Sequence, residues 1–115
     1  MNHHHHKIRE SWLVAAVHDL NLQVFIPAGY EVPDDVAVTC GWPSRGAIAK
    51  RKTLGECWPR SRSAKNINEI FLSPTMDDAV DVLAVLVHEL VHAIDDCKHG
   101  HKAPFRTIAV AVGFE

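Results

Sequence analysis

The stretch LVHELVHAIDDCKHGH, residues 86–101, decides how the rest of the chain is read. It gathers His88, His92, His99 and His101 with Glu89, Asp95, Asp96 and Cys97. Its first half continues a nearly unbroken apolar run from Val82 to Ile94, which predicts a helix buried on most sides. Titratable side chains on such a helix are costly to bury unless something pairs with them. The spacing of His88 and His92 suggests what that partner is. Residues four apart on a helix lie about 40° apart around the axis, one turn above the other. Both imidazoles therefore reach one metal ion. Glu89, about 100° round from His88, stands beside that ion and not on it. This offset suits a base that takes a proton from water whose pKa the ion lowers to about 7. The competing reading of H-E-x-x-H is an ordinary polar stripe with satisfied hydrogen bonds.

Two histidines do not complete a catalytic zinc site, which usually has three protein ligands. Asp95, Asp96, His99, His101 and Glu115 are the candidates for the third. Asp96 lies one turn beyond His92, too far along the axis for the same ion, so it or Asp95 is a supporting partner at most. Glu115 lies on a terminal segment able to fold back. His99 and His101 flank Gly100, which permits a reversal. They point to different sides of an extended segment, so one of the two ligates, and spacing alone leaves the choice open. The metzincin extension is excluded, because it needs glycine at 95 and histidine at 98, where the chain has Asp95 and Lys98.

Outward from this stretch, Thr75 and Asp78 resemble a capping box, and acids at 77, 78 and 81 suit the positive end of the helix. Gly100 and Pro104 mark a break. A short last helix is predicted from near Pro104, with Phe105, Ile108, Ala109 and Val112 inward. Upstream lie three β-like runs: VAVTCGW (36–42), a weaker one within 47–58 around Ile48, Leu54, Cys57 and Trp58, and NEIFLS (68–73). Ile70 and Leu72 share one face of the third run, with Phe71 on the other. The turns between them, at Pro43, Ser44 and Gly46 and at Pro59 and Ser61 to Ser63, are short, which predicts a small, mostly antiparallel three-stranded sheet. An amphipathic helix is predicted over residues 7–20, with Ile8, Trp12, Ala15, Ala16 and Leu20 inward, before a loop marked by Pro27, Gly29 and Pro33. The run His3 to His6 resembles a tag remnant or a disordered polar end. The fold class expected is α+β in one domain over residues 7–115: N-terminal helix, small sheet, long H-E-x-x-H helix, short C-terminal helix.

The chain has 115 residues and a net charge of −2, which excludes a strongly basic nucleic-acid binder overall. Cys40, Cys57 and Cys97 form no C-x-x-C pair and read as reduced thiols. The apolar segment WLVAAV is too short for a signal core or a membrane span, so no membrane partner is expected and a cytoplasmic location is the default. Charge is nonetheless uneven. Arg45, Lys50, Arg51, Lys52, Arg60, Arg62 and Lys65 face a single acid, Glu56, within 45–65, with Trp42 and Trp58 in or beside the segment. Basic and aromatic side chains together suit single-stranded DNA. The alternative is a solvated hairpin face with the tryptophans in the core.

The run HELVHAIDDCKHGHKAPFRTIAVAVGF resembles the core of the SprT-like zinc metallopeptidases, a minimal zincin family. The pattern is carried by His88, Glu89, His92 and Ala93, then Gly100, His101, Phe105 and Gly113. Upstream, a GWP turn at 41–43, LGECW at 54–58 and NEIFLSP before the helix are similar too. The resemblance covers roughly residues 36–114. It departs at one point, since the family usually has glycine after the third histidine and this chain has Lys102. The resemblance implies His101 as the third ligand of Zn2+ and Glu89 as the catalytic base of an endopeptidase. Some relatives act on proteins crosslinked to DNA and are gated by DNA. A substrate strand is expected to pair with the sheet edge. Tyr30, Arg106 and His99 are candidates for stabilising the oxyanion. The alternative function is a nucleic-acid adaptor with a structural zinc.

Overall fold

A computed structural model describes residues 2–41 and 54–113, with side chains from Arg9 onward. The turn at Trp42–Pro43, the first half of the weak β-like run, the cations Arg45, Lys50, Arg51 and Lys52, and the candidate ligand Glu115 lie outside the described residues. Helix α1 covers Asn2–Leu20 and continues through a π turn, Asn21–Phe25, and a 3-10 turn, Ile26–Ala28. Strands β1 (Ala37–Cys40), β2 (Gly55–Trp58) and β3 (Glu69–Leu72) follow, then α2 (Ala79–Ile94) and α3 (Ala103–Ala111). The α+β class is as expected. Among the described residues no helix is long and apolar enough to cross a membrane.

The sheet corrects one expectation. Its order is β1-β3-β2, with β1 parallel and β2 antiparallel to β3, so it is mixed and not mostly antiparallel. Short turns argued for neighbours in sequence being neighbours in the sheet. That holds for β2 and β3 but not for β1 and β2, because residues 41–68 separate β1 from β3, enough chain for a parallel crossover. The register sets Val38, Ile70 and Cys57 in one row and Cys40, Leu72 and Gly55 in another two residues along. Both rows lie on the face toward α2, because alternate residues share a face. Ile70 and Leu72 are buried there, while Phe71 turns to the other face against Trp58, ring centroids 5.0 Å apart.

Helix α1 starts five residues ahead of the expected Lys7, at Asn2. No glycine or proline interrupts residues 2–6, so a helix nucleated downstream can propagate back through them. Its buried stripe also differs. Leu13 is fully buried and Ala16, Val17, Leu20 and Val24 pack beside it, while Trp12 and Ala15 face solvent. The stripe 13, 16, 17, 20, 24 keeps helical spacing through the π turn, and that longer stripe outweighs the bulk of one tryptophan. Gly29 closes this segment at φ 97°, a left-handed value that favours glycine.

Helix α2 is capped by Asp78, whose side chain accepts from the backbone N–H of Val80 at 2.8 Å and of Asp81 at 3.4 Å. The expected cap, Thr75, instead pairs its hydroxyl with that of Ser73. Val82, Leu86, Leu90, Val91 and Ala93 are buried, and they join Ile70, Leu72, Phe105, Ile108 and Ala109 in the one core. Lys102 precedes α3, and Pro104 occupies its first turn, where a missing N–H costs nothing.

Candidate metal centre

Within α2, four-residue spacing puts His88 directly below His92, ring centroids 5.0 Å apart. The third ring comes from beyond the helix. After Ile94 the chain turns through Asp96 (φ 56°), Cys97 (φ 59°) and Gly100 (φ 53°), three left-handed residues that reverse its direction. Two of them carry side chains, and each such residue costs about 1–2 kcal/mol of strain. The turn is tied by hydrogen bonds from Cys97 N–H to His92 O (2.8 Å) and from Asp96 N–H to Ala93 O (3.1 Å). It delivers His101 back to the helix. The Nε2 atom of His101 lies 3.1 Å from that of His88 and 3.1 Å from that of His92. These three ring nitrogens are close enough together to hold one metal ion.

Phe105 of α3 forms the floor of this cluster. It is buried, and its ring centroid lies 5.1 Å from that of His88, 4.5 Å from His92 and 4.9 Å from His101. Of the other candidate ligands among the described residues, His99 and Asp95 pair with each other and Asp96 binds a different segment. His99 Nδ1 lies 3.2 Å from Asp95 Oδ2. Asp96 Oδ1 accepts from the backbone N–H of Arg60 and from Asn68 Nδ2, both at 2.8 Å, which ties the turn to the segment after β2.

Electrostatics favour metal binding over protonation. Burial, followed by the neighbouring His88 and His101 rings, lowers the pKa of His92 to about 4. Burial and His101 lower that of His88 as well. Both imidazoles are thus neutral at pH 7 with lone pairs to donate. Glu89 is 6 % exposed, and burial, with a smaller push from the Glu56 carboxylate, raises its pKa to about 7. A carboxyl shifted in this way exchanges its proton near neutral pH.

A cleft of about 350 Å³ opens at this point, lined by Leu54, Gly55, Ala84, Val85, His88 and Glu89. Gly55 is what lets β2 lie this near to α2. A Cβ there would sit 2.6 Å from Val85 Cγ1 and 3.1 Å from both Cγ and Oε2 of Glu89. Beyond Gly55 the strand is an edge, since β2 pairs only with β3 among the described residues. Sequence reading missed this glycine; a glycine inside a strand is the available signal of close backbone approach.

The oxyanion candidates are dispersed. Tyr30 packs against the core, Arg106 is exposed on α3, and His99 is held by Asp95. Of the described cations in 45–65, Arg60 pairs with Asp35 at 2.6 Å. Arg62 stacks 4.5 Å above the Trp58 ring and lies 3.8 Å from Glu56. Compared with protein families, with characterised proteins and with solved structures, the chain matches none.

Proposed function

We propose that the protein is a zinc-dependent endopeptidase of the SprT-like kind. The observation that carries this reading is the convergence of His88, His92 and His101 beside a buried Glu89, at a cleft bordered by a strand that is an edge among the described residues. The donor set fits zinc. Zinc–imidazole bonds of about 2.0–2.1 Å at a tetrahedral angle put ligand nitrogens roughly 3.3 Å apart, and two of the three separations here are 3.1 Å. Three imidazole nitrogens suit a borderline ion over the hard cations that prefer oxygen. Structural zinc usually has four protein ligands and catalytic zinc three. With Asp96 bonded to Arg60 and Asn68 and His99 paired with Asp95, the described residues gather three ligands, a count that favours catalysis over a nucleic-acid adaptor.

Zinc at these histidines would polarise the scissile carbonyl and acidify the attacking water. Glu89 would accept the proton from that water and deliver one to the leaving amine, as a buried carboxylate one residue from a ligand histidine is placed to do. The edge of β2 offers main-chain hydrogen bonds to an extended peptide, which gives affinity with little sequence preference. Gly55 keeps the peptide's path over Glu89 clear of side-chain bulk. Single-stranded DNA acting through residues 45–65 remains part of the proposal, with protein on DNA as the substrate class.

The test begins with protein from which His3 to His6 have been removed, because a run of four histidines can bind metal on its own. Elemental analysis should find one zinc per chain, and casein should be cleaved, with and without single-stranded DNA compared. Glu89→Gln is expected to keep zinc and lose cleavage, and His101→Ala to lose stoichiometric zinc. Wild-type cleavage by Glu89→Gln would overturn the mechanism.

A further inference from the structure

Two thiols meet beside the histidine cluster and take no part in the proposed hydrolysis. Cys57 lies on β2, in the row that faces α2, and Cys97 lies in the turn that leads to His101. Their sulfurs are 3.4 Å apart, and Cys97 Sγ also lies 3.5 Å from the carbonyl oxygen of Cys57. Both residues are partly exposed, whereas the third cysteine, Cys40, is buried on β1 with Arg9 Nη1 3.3 Å from its sulfur. We propose that Cys57 and Cys97 are a redox pair that a hydroperoxide closes to a disulfide and a dithiol reopens, pinning the turn that carries His101 to the edge strand β2.

Reach comes first. A disulfide is about 2.05 Å long, so from 3.4 Å the sulfurs need to approach by little more than 1 Å. Cys97 is held toward Cys57 by its left-handed backbone and its bond to His92 O. The two thiols also sit differently: Cys57 lies within strand β2, and Cys97 lies in the turn beyond α2 with its sulfur directed at the sulfur and the carbonyl oxygen of Cys57. Cys97, outside the sheet, is assigned as the thiol that attacks first.

The chemistry balances. The Cys97 thiolate attacks one peroxide oxygen; an S–O bond forms, the O–O bond breaks, and the other oxygen leaves as alcohol after taking a proton. Cys57 then attacks the Cys97 sulfenic sulfur; the S–S bond forms, the S–O bond breaks, and water leaves. Two thiols lose two electrons and one hydroperoxide gains them. A dithiol reverses the outcome by two exchange steps. The closed bond ties residues 57 and 97, so it restricts the unfolded chain over a long loop and should raise the melting temperature by about 10 °C.

The proposal stands apart from the peptidase reading, because its readouts are thiols and melting. The purified full chain is treated with hydrogen peroxide, alkylated, and mapped by peptide mass. The expected result is loss of two hydrogens, a Cys57–Cys97 linked peptide, Cys40 alone alkylated, reversal by dithiothreitol, and the rise in melting temperature. Cys97→Ser should abolish the link and the rise, and Cys40→Ser should keep both. Cys57→Ala, with the attacker intact, should leave a Cys97 sulfenic acid that dimedone captures. Irreversible oxidation of Cys97 with no link, a link through Cys40, or a linked chain that melts no higher would each overturn the proposal.

Discussion

A methyl group at residue 55 would reach Val85 Cγ1 at 2.6 Å, closer than real Cβ contacts come, and Glu89 at 3.1 Å. Gly55→Ala therefore forces the strand outward or Glu89 aside. Overpacking of this kind costs about 1–3 kcal/mol, and misplacing a reacting group by about 1 Å can cost 100-fold in rate. The variant is expected to bind zinc as the parent does, unfold at lower urea, and cleave casein at least tenfold more slowly; parental cleavage would show that Glu89 does not depend on this gap. At the same scale, His88, Glu89 and His92 were legible in the sequence because helical period alone fixes their relative positions. His101 was not fixed that way. Its return to the helix depends on left-handed backbone at Asp96, Cys97 and Gly100, and only the glycine among these advertises such a conformation.

Among the elements, α2 holds the two histidines in register, and its start is set by Asp78 alone. Asp78→Ala removes a side chain that accepts from two backbone N–H groups and should cost about 1 kcal/mol, read as a lower midpoint in urea. Thr75→Ala should cost less, since the Thr75 hydroxyl meets Ser73 and not the helix. Equal losses would return the capping role to Thr75. The elements themselves were largely readable, because apolar period and turn residues mark them. Their partners were less so. Strand order could not be read from connections that allow either arrangement, and the inward face of α1 was set by Leu13, Val17 and Val24 acting together past the point where the regular helix ends.

Across the whole molecule, the buried titratable groups set opposing pH responses in the metal-free protein. The folded pKa of Glu89 is raised from 4.5 to about 7, so its contribution to stability is full below pH 4.5 and lost as pH rises through 7. That of His92 is lowered from 6.5 to about 4, so its contribution is full above pH 6.5 and lost as pH falls through 4. His88 shifts the same way as His92. Between pH 4.5 and 6.5 the carboxyl offsets the imidazoles, and Glu89→Gln removes that offset. The urea midpoint of the metal-free variant should fall more steeply with acid over this window than that of the parent; parallel curves would mean that Glu89 is not shifted by burial. Zinc binding should weaken for both proteins as pH falls toward 4, where protons compete for His92.

The last strand to be made is the one in the middle. During synthesis from the ribosome, β1 and β2 emerge with no hydrogen bonds to each other, and both wait for Glu69–Leu72 to bridge them. Neither pairing can therefore form before β3 is made, and a nascent chain halted before residue 69 presents β1 and β2 unpaired with β3 to whatever chaperone or neighbouring chain meets them first.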